Sequence, residues 1–121
     1  MFECIALTVP AKQSALMVVR LATAGVAAQG EMDCETLEDV KTAVYEACYA
    51  MAMQKYVPES LSIRFAPGPR FAVTIKGEGG QHETDGRLPD LKLCRAVLST
   101  MIGHVEVEMD EKGIRRIEMH E

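Results

Sequence analysis

Apolar and polar positions alternate over residues 2–9 (FECIALTV), with Ile5, Leu7 and Val9 on one face, and Pro10 then removes the donor a longer central strand would need. The pattern predicts a first strand. From about Lys12 to Gln29 the period changes, Leu16, Val19, Val26 and Ala27 recurring near helical spacing, and Gly30 is expected to supply a left-handed stop. A second helix is predicted from an Asp33 cap, with Glu35 adding favourable charge in its first turn. Its stripe is Leu37, Val40, Val44, Cys48 and Met51, and it runs to about Lys55, ending before Pro58.

Beyond it, Leu61, Ile63 and Phe65 alternate with Ser62 and Arg64, the run Ala66-Pro67-Gly68-Pro69 makes a turn, and Phe71, Val73 and Ile75 alternate again, which reads as a hairpin. Residues 77–89 (GEGGQHETDGRLP) have no period and are rich in glycine, so a mobile loop is expected there, the one candidate lid. Pro89 and Asp90 open a third predicted helix whose Leu91, Cys94, Val97, Leu98 and Met101 share a face, with Gly103 ending it. Val105, Val107 and Met109 then alternate with Glu106 and Glu108, which read as the solvent side of a strand; Asp110–Gly113 turns the chain, and Ile117 and Met119 complete a second hairpin. His104 and His120 fall near strand ends as ordinary surface positions. The order β-α-α-β-β-loop-α-β-β, with strands joined by hairpins, predicts an α+β two-layer sandwich: a mostly antiparallel sheet covered by about three helices, in one domain over residues 1–121.

Composition narrows the function classes. The chain has 121 residues, 48% hydrophobic and 26% charged, an ordinary globular balance that excludes disordered and collagen-like classes. Its net charge of −5 and the absence of Trp argue against nucleic acid, which needs a positive field or aromatic platforms for bases. Residues 1–10 lack a basic segment ahead of an apolar run, and the longest apolar stretch, Ala15–Ala28, is interrupted by Arg20, so a cytoplasmic protein without a membrane span is expected. Cys4, Cys34, Cys48 and Cys94 form no C-x-x-C pair and are expected to be reduced, mostly buried thiols. The loop His82-Glu83-Thr84-Asp85 is a weak metal-binding alternative that lacks the ligand spacing of a closed site, and no metal ligand is assigned.

The second helix carries the candidate chemistry. At about 100° per residue, Asp39, Glu46, Ala50 and Met53 lie opposite its main stripe. Glu46 shares that side with Ala43, Ala50 and Met53, so either another element packs there or the helix borders a cleft in which a carboxylate acts as acid or base. The plain reading is a surface glutamate on a long helix.

Across residues 5–56 the segments LTVPAK, VVRLATAGVA and LEDVKTAVYEACYAMAMQKY resemble the anti-sigma factors with serine kinase activity that govern bacterial sporulation and general stress responses. Those belong to the ATPase superfamily shared by histidine kinases and DNA gyrase. Glu38-Asp39, Lys41, Ala43-Val44 and Glu46-Ala47-Cys48 keep register; in the second half the resemblance rests on element order and a short GEG. It implies the histidine-kinase-like ATPase fold, with ATP or ADP and Mg²⁺ between a helix and a lid, and a homodimer whose partner is a sigma factor or an anti-sigma antagonist.

Carried over by position, Glu46 matches the glutamate that activates the substrate serine, and Arg20 matches an arginine of the partner surface. By itself Arg20 reads equally as a docking charge or a snorkelling side chain. The Mg²⁺-binding asparagine falls on Ala50, which has no oxygen, and the adenine-reading aspartate falls on Gly77, followed by Glu78 and Gly79. The second glycine box falls on Asp90–Cys94 and holds no glycine, and the acidic residue at that helix start repels phosphate. The expectation is an anti-sigma-like regulatory binding protein with impaired or lost ATP binding. The alternative is an active serine kinase with Glu46 as catalytic base and Gly77, Glu78 and Gly79 at a retained nucleotide.

Overall fold

A computed structural model describes residues 3–121; Phe2, at the head of the predicted first strand, lies outside the described residues. The chain folds as β1 (Ile5–Pro10), α1 (Leu16–Ala27), α2 (Cys34–Ala52), β2 (Tyr56–Ala66), β3 (Ala72–Glu83), α3 (Leu91–Ser99), β4 (His104–Asp110) and β5 (Gly113–His120). The five strands form one antiparallel sheet in the order β1-β2-β3-β5-β4, the predicted α+β architecture. No helix among the described residues is long and apolar enough to cross a membrane.

The register explains the core. One row of directly opposed residues crosses the whole sheet as Leu7, Ile63, Ile75, Ile117 and Val107, and a second as Ile5, Phe65, Val73, Met119 and Val105. Period-two alternation puts these rows on one face, where all but the exposed Ile5 and the half-buried Leu7 and Val105 join Leu16 and Val19 of α1, Val44, Cys48 and Met51 of α2, and Leu98 of α3 in one buried cluster. The other face is polar, with Ser62, Arg64, Thr74, Lys76 and Arg116 side by side. Glu106 and Glu108 are exposed, as the alternation requires.

Local chemistry sets the helix ends. Asp33 caps α2 by accepting from the Thr36 N–H at 2.7 Å, which holds its carboxyl below the ordinary value. The left-handed residue after α1 is Glu31 (φ 56°), not Gly30. Gly30 is small for a different reason: a Cβ there would lie 2.5 Å from the Gly68 carbonyl oxygen in the β2–β3 turn. Helix α2 ends at Ala52, short of Lys55, and β2 begins at Tyr56, so Pro58 lies inside a strand. It is tolerated because the β2–β3 register shifts between Pro58 and Ser60, a bulge that releases the ladder position.

Two further expectations fail. Residues 77–83 are strand, paired with β2 as far as Tyr56↔Glu83, so only residues 84–90 form a connection. That connection is strapped down. Thr84 N–H donates to the Lys55 carbonyl at 2.7 Å, the Thr84 hydroxyl lies 3.0 Å from the Gln54 carbonyl oxygen, and Lys55 N–H donates to the Arg87 carbonyl at 3.0 Å. Glycine content misled here because Gly77, Gly79 and Gly80 lie in a paired strand, the last two at its bulge opposite Glu59. The thiols are also less buried than expected: Cys4 and Cys34 are exposed, Cys94 is half-buried and only Cys48 is buried.

Candidate functional site

Helix α2 buries Val40, Ala43, Val44, Ala47, Cys48, Met51 and Ala52, which fixes its rotation on the sheet and turns Glu46, Tyr49, Ala50 and Met53 toward α3. Between the two helices lies a cleft of about 510 Å³. The strap contributes Arg87, Leu88, Pro89 and Asp90, α3 contributes Leu93, Cys94, Val97 and Leu98, and Gln54 and Ile114 complete the lining. Of the two sequence alternatives for the Glu46 side, a cleft is the one found. Ala43, placed on the same side by helical angle, is instead fully buried.

Gln54 is the polar element no sequence pattern marked. Its side chain is 3% exposed, its amide nitrogen donates to the carbonyls of Met51 and Ile114 at 3.1 Å each, and its Oε1 accepts from Ile114 N–H at 2.8 Å. It thereby ties the end of α2 to the start of β5. A lone glutamine after an apolar stripe gives no sign of this, because the Ile114 backbone groups it binds are sixty residues away.

Glu46 is half-buried and, among the described residues, has no ion pair or side-chain hydrogen bond. Ala50 lies beside it in the lining without a polar atom to offer. At the start of α3, Asp90 Oδ1 accepts from Leu93 N–H at 3.1 Å, so the helix N-terminus is occupied by a carboxylate of the chain itself. Burial pushes the Cys94 thiol up, with Arg95 partly opposing, so that this cleft sulfur is a neutral thiol.

Gly77, Glu78 and Gly79 are not part of the cleft lining. Gly77 pairs with Leu61, and a Cβ added there would meet Pro58 Cγ at 3.0 Å and Met51 Cε at 3.8 Å, so the space a base-reading side chain would need is filled. Gly79 has φ 82° and faces the Glu59 side chain across the bulge, a conformation that favours glycine. Glu78 lines a shallow trough of about 360 Å³ that also holds Ser62, Arg64, Thr74, Lys76 and Arg116. Arg116 there is already paired, with Glu118 at 2.6 Å and Glu108 at 3.8 Å.

Arg20 lies neither in the cleft nor free on the surface. Its guanidinium is 3.7 Å from Glu38 and 5.9 Å from the centre of the Tyr45 ring, tying α1 to α2. Tyr45 in turn stacks on Tyr49, ring centres 6.4 Å apart, and Tyr49 lines the cleft. Glu38 also binds Lys41 at 2.9 Å, and these cations, Lys41 foremost, lower its pKa.

His82 and Glu83 belong to β3 and Thr84 to the strap, and no group of three or more His, Cys, Asp or Glu side chains converges among the described residues. His104 and His120 face each other across β4 and β5, rings 4.3 Å apart. No family model matches the chain, and no curated protein matches it either.

Proposed function

We propose that the chain is a regulatory binding protein of the anti-sigma type, a cytoplasmic homodimer that engages a sigma factor or an anti-sigma antagonist and has impaired or lost ATP binding. One observation carries the loss. The cleft beside Glu46 presents Ala50 where a metal ligand would stand and the Asp90 carboxylate on the α3 amide that would meet a phosphate. The Pro58 and Met51 side chains against Gly77 support the same reading on the base side. Mg-ATP therefore does not fit these residues.

The resemblance over residues 5–56 supports the binding role, with Arg20 as its candidate contact. Engagement of a partner by Arg20 requires its 3.7 Å pair with the exposed Glu38 to open, a small cost for a surface pair. Affinity capture from the native host tests this. A sigma factor or antagonist domain is expected with the unaltered protein and not with Arg20→Glu; recovery of neither rejects the reading. Calorimetric titration with ATP and ADP, with and without Mg²⁺, is expected to show no micromolar binding.

A second reading, an active serine kinase with Glu46 as base, is favoured by one feature, the half-buried Glu46 carboxylate with no partner among the described residues. Labelled phosphate passing from ATP to an antagonist, and lost in Glu46→Gln, would establish it in place of the first.

A further inference from the structure

Half of the ten large apolar side chains left exposed among the described residues gather in one place, while Met17, Val18 and Leu21 lie on α1 and Ile5 and Met109 on strands. Tyr49, Met53, Leu88, Leu93 and Val97, between 38% and 62% exposed, all line the one cleft between α2 and α3. Its volume of about 510 Å³ falls within the range of roughly 300 to 1,000 Å³ typical of small-molecule sites. A concave apolar wall of this size gains by being filled, since covering it removes apolar area from water.

Polar groups in the cleft decide the charge of what fills it. Both amide hydrogens of Gln54 are spent on the Met51 and Ile114 carbonyls, so the floor asks for no donor or acceptor from a ligand. Glu46 and Asp90 are anions, Arg87 the only cation of the lining. Arg87 sits exposed on the strap, where water and salt screen it, whereas Glu46 is half-buried and less screened. The α3 amide that would attract an anion is already held by Asp90. Tyr49 adds an aromatic ring suited to a cation.

We infer that this cleft binds a small apolar molecule carrying a positive charge, a ligand opposite in sign to a nucleotide. The inference rests on the reading above in one respect, that phosphates are not held there. Apolar contact with Met53, Leu88, Leu93 and Val97 supplies the affinity, and Glu46 selects the charge.

The test uses the neutral fluorescent probe N-phenyl-1-naphthylamine with the full chain, displaced by decyltrimethylammonium or by decyl sulfate below their micellar concentrations. One saturable site is expected, and the ammonium should displace the probe at about tenfold lower concentration than the sulfate, equivalent to about 1.4 kcal/mol. Glu46→Gln should remove most of that preference while the neutral probe still binds. Ala50→Trp, which fills the cleft, should abolish probe binding, and Met109→Ser, an exposed apolar position on β4, should leave it unchanged. Circular dichroism melts establish that each variant is folded.

Equal displacement by both detergents, a preference for the sulfate, or probe binding that survives in folded Ala50→Trp would each overturn the inference. So would absence of probe binding, which would mean a cleft closed or covered by another chain. Displacement by Mg-ATP would overturn the proposed function as well, whereas failure of both Mg-ATP and the ammonium would overturn this inference alone.

Discussion

Helices α2 and α3 both carry apolar stripes yet meet different fates. Every stripe residue of α2 from Val40 to Met51 is fully buried, with α1 and the sheet packed against the helix. Within α3 only Leu98 is buried; Leu91 and Cys94 are half-covered, and Val97 is 41% exposed. An apolar stripe marks a face that is stabilised by being covered, and says nothing about what covers it. For α2 the cover is α1 and the sheet together. For α3 it is partly the cleft, whose wall is left to water or to a ligand.

The sharpest way to break this comparison is to truncate matched positions. Met51→Ala should cost about 2 to 5 kcal/mol in denaturant unfolding, because Met51 is fully buried beneath β3. Val97→Ala should change stability by no more than about 0.5 kcal/mol. If Val97→Ala costs as much as Met51→Ala, the outer side of α3 is packed and the cleft is not open.

Gln54→Ala should rank next, at about 1 to 3 kcal/mol, because Ile114 loses a partner for both its N–H and its carbonyl. Hydrogen exchange at Ile114 and Lys55 should accelerate together, since the strap hangs from the same turn. Acceleration at Ile114 alone would separate the strap from the clamp.

The thiols sharpen the comparison by chemistry. Burial pushes Cys48 of α2 from the ordinary 9.0 up to about 12. Because the folded value is raised, this contribution to stability is intact below pH 9 and is lost as pH rises from there toward 12. Alkaline unfolding curves of Cys48→Ala should show a shallower decline over that window. With a disulfide reagent at pH 8, Cys4 and Cys34 should react quickly, Cys94 slowly, and Cys48 only on unfolding.

The smallest effects belong to the caps. Asp33 has a lowered pKa, so its support of α2 is present above the unfolded carboxyl value and fades as pH falls through the folded one. Asp33→Ala should speed exchange at the Thr36 N–H while leaving the middle of α2 protected. Loss of protection throughout α2 would mean that the cap holds more than the first turn.

Strand and helix identities were legible because each depends on neighbours in sequence. Ile5, Leu7 and Val9 alternate as a strand must, and Leu16, Val19, Val26 and Ala27 return at helical spacing; all but Ile5 and Leu7 are buried. Asp33 and Asp90 were readable as helix-opening residues for the same local reason. Glu46 was readable as a residue facing away from the main core, because helix geometry alone places it there.

Residues 77–83 were misread because whether a glycine-rich run pairs as strand depends on a partner, here β2, with Gly79 and Gly80 bulging opposite Glu59. How far the α3 stripe is covered was not legible for a similar reason, since its burial depends on how far α2 and the strap approach. Gln54 was invisible because its hydrogen bonds join residues distant along the chain.

The sequence by itself determined the elements, their order and the antiparallel α+β class, since periodicity, caps and hairpin turns act over a few residues. Tertiary structure alone decided that Glu46 borders an apolar cleft, that the expected lid is a tethered strap, and that Arg20 spends its charge on Glu38 and Tyr45. Each of those facts is a distance between residues far apart in the chain, and such distances arise only when the sheet register and helix packing are settled together.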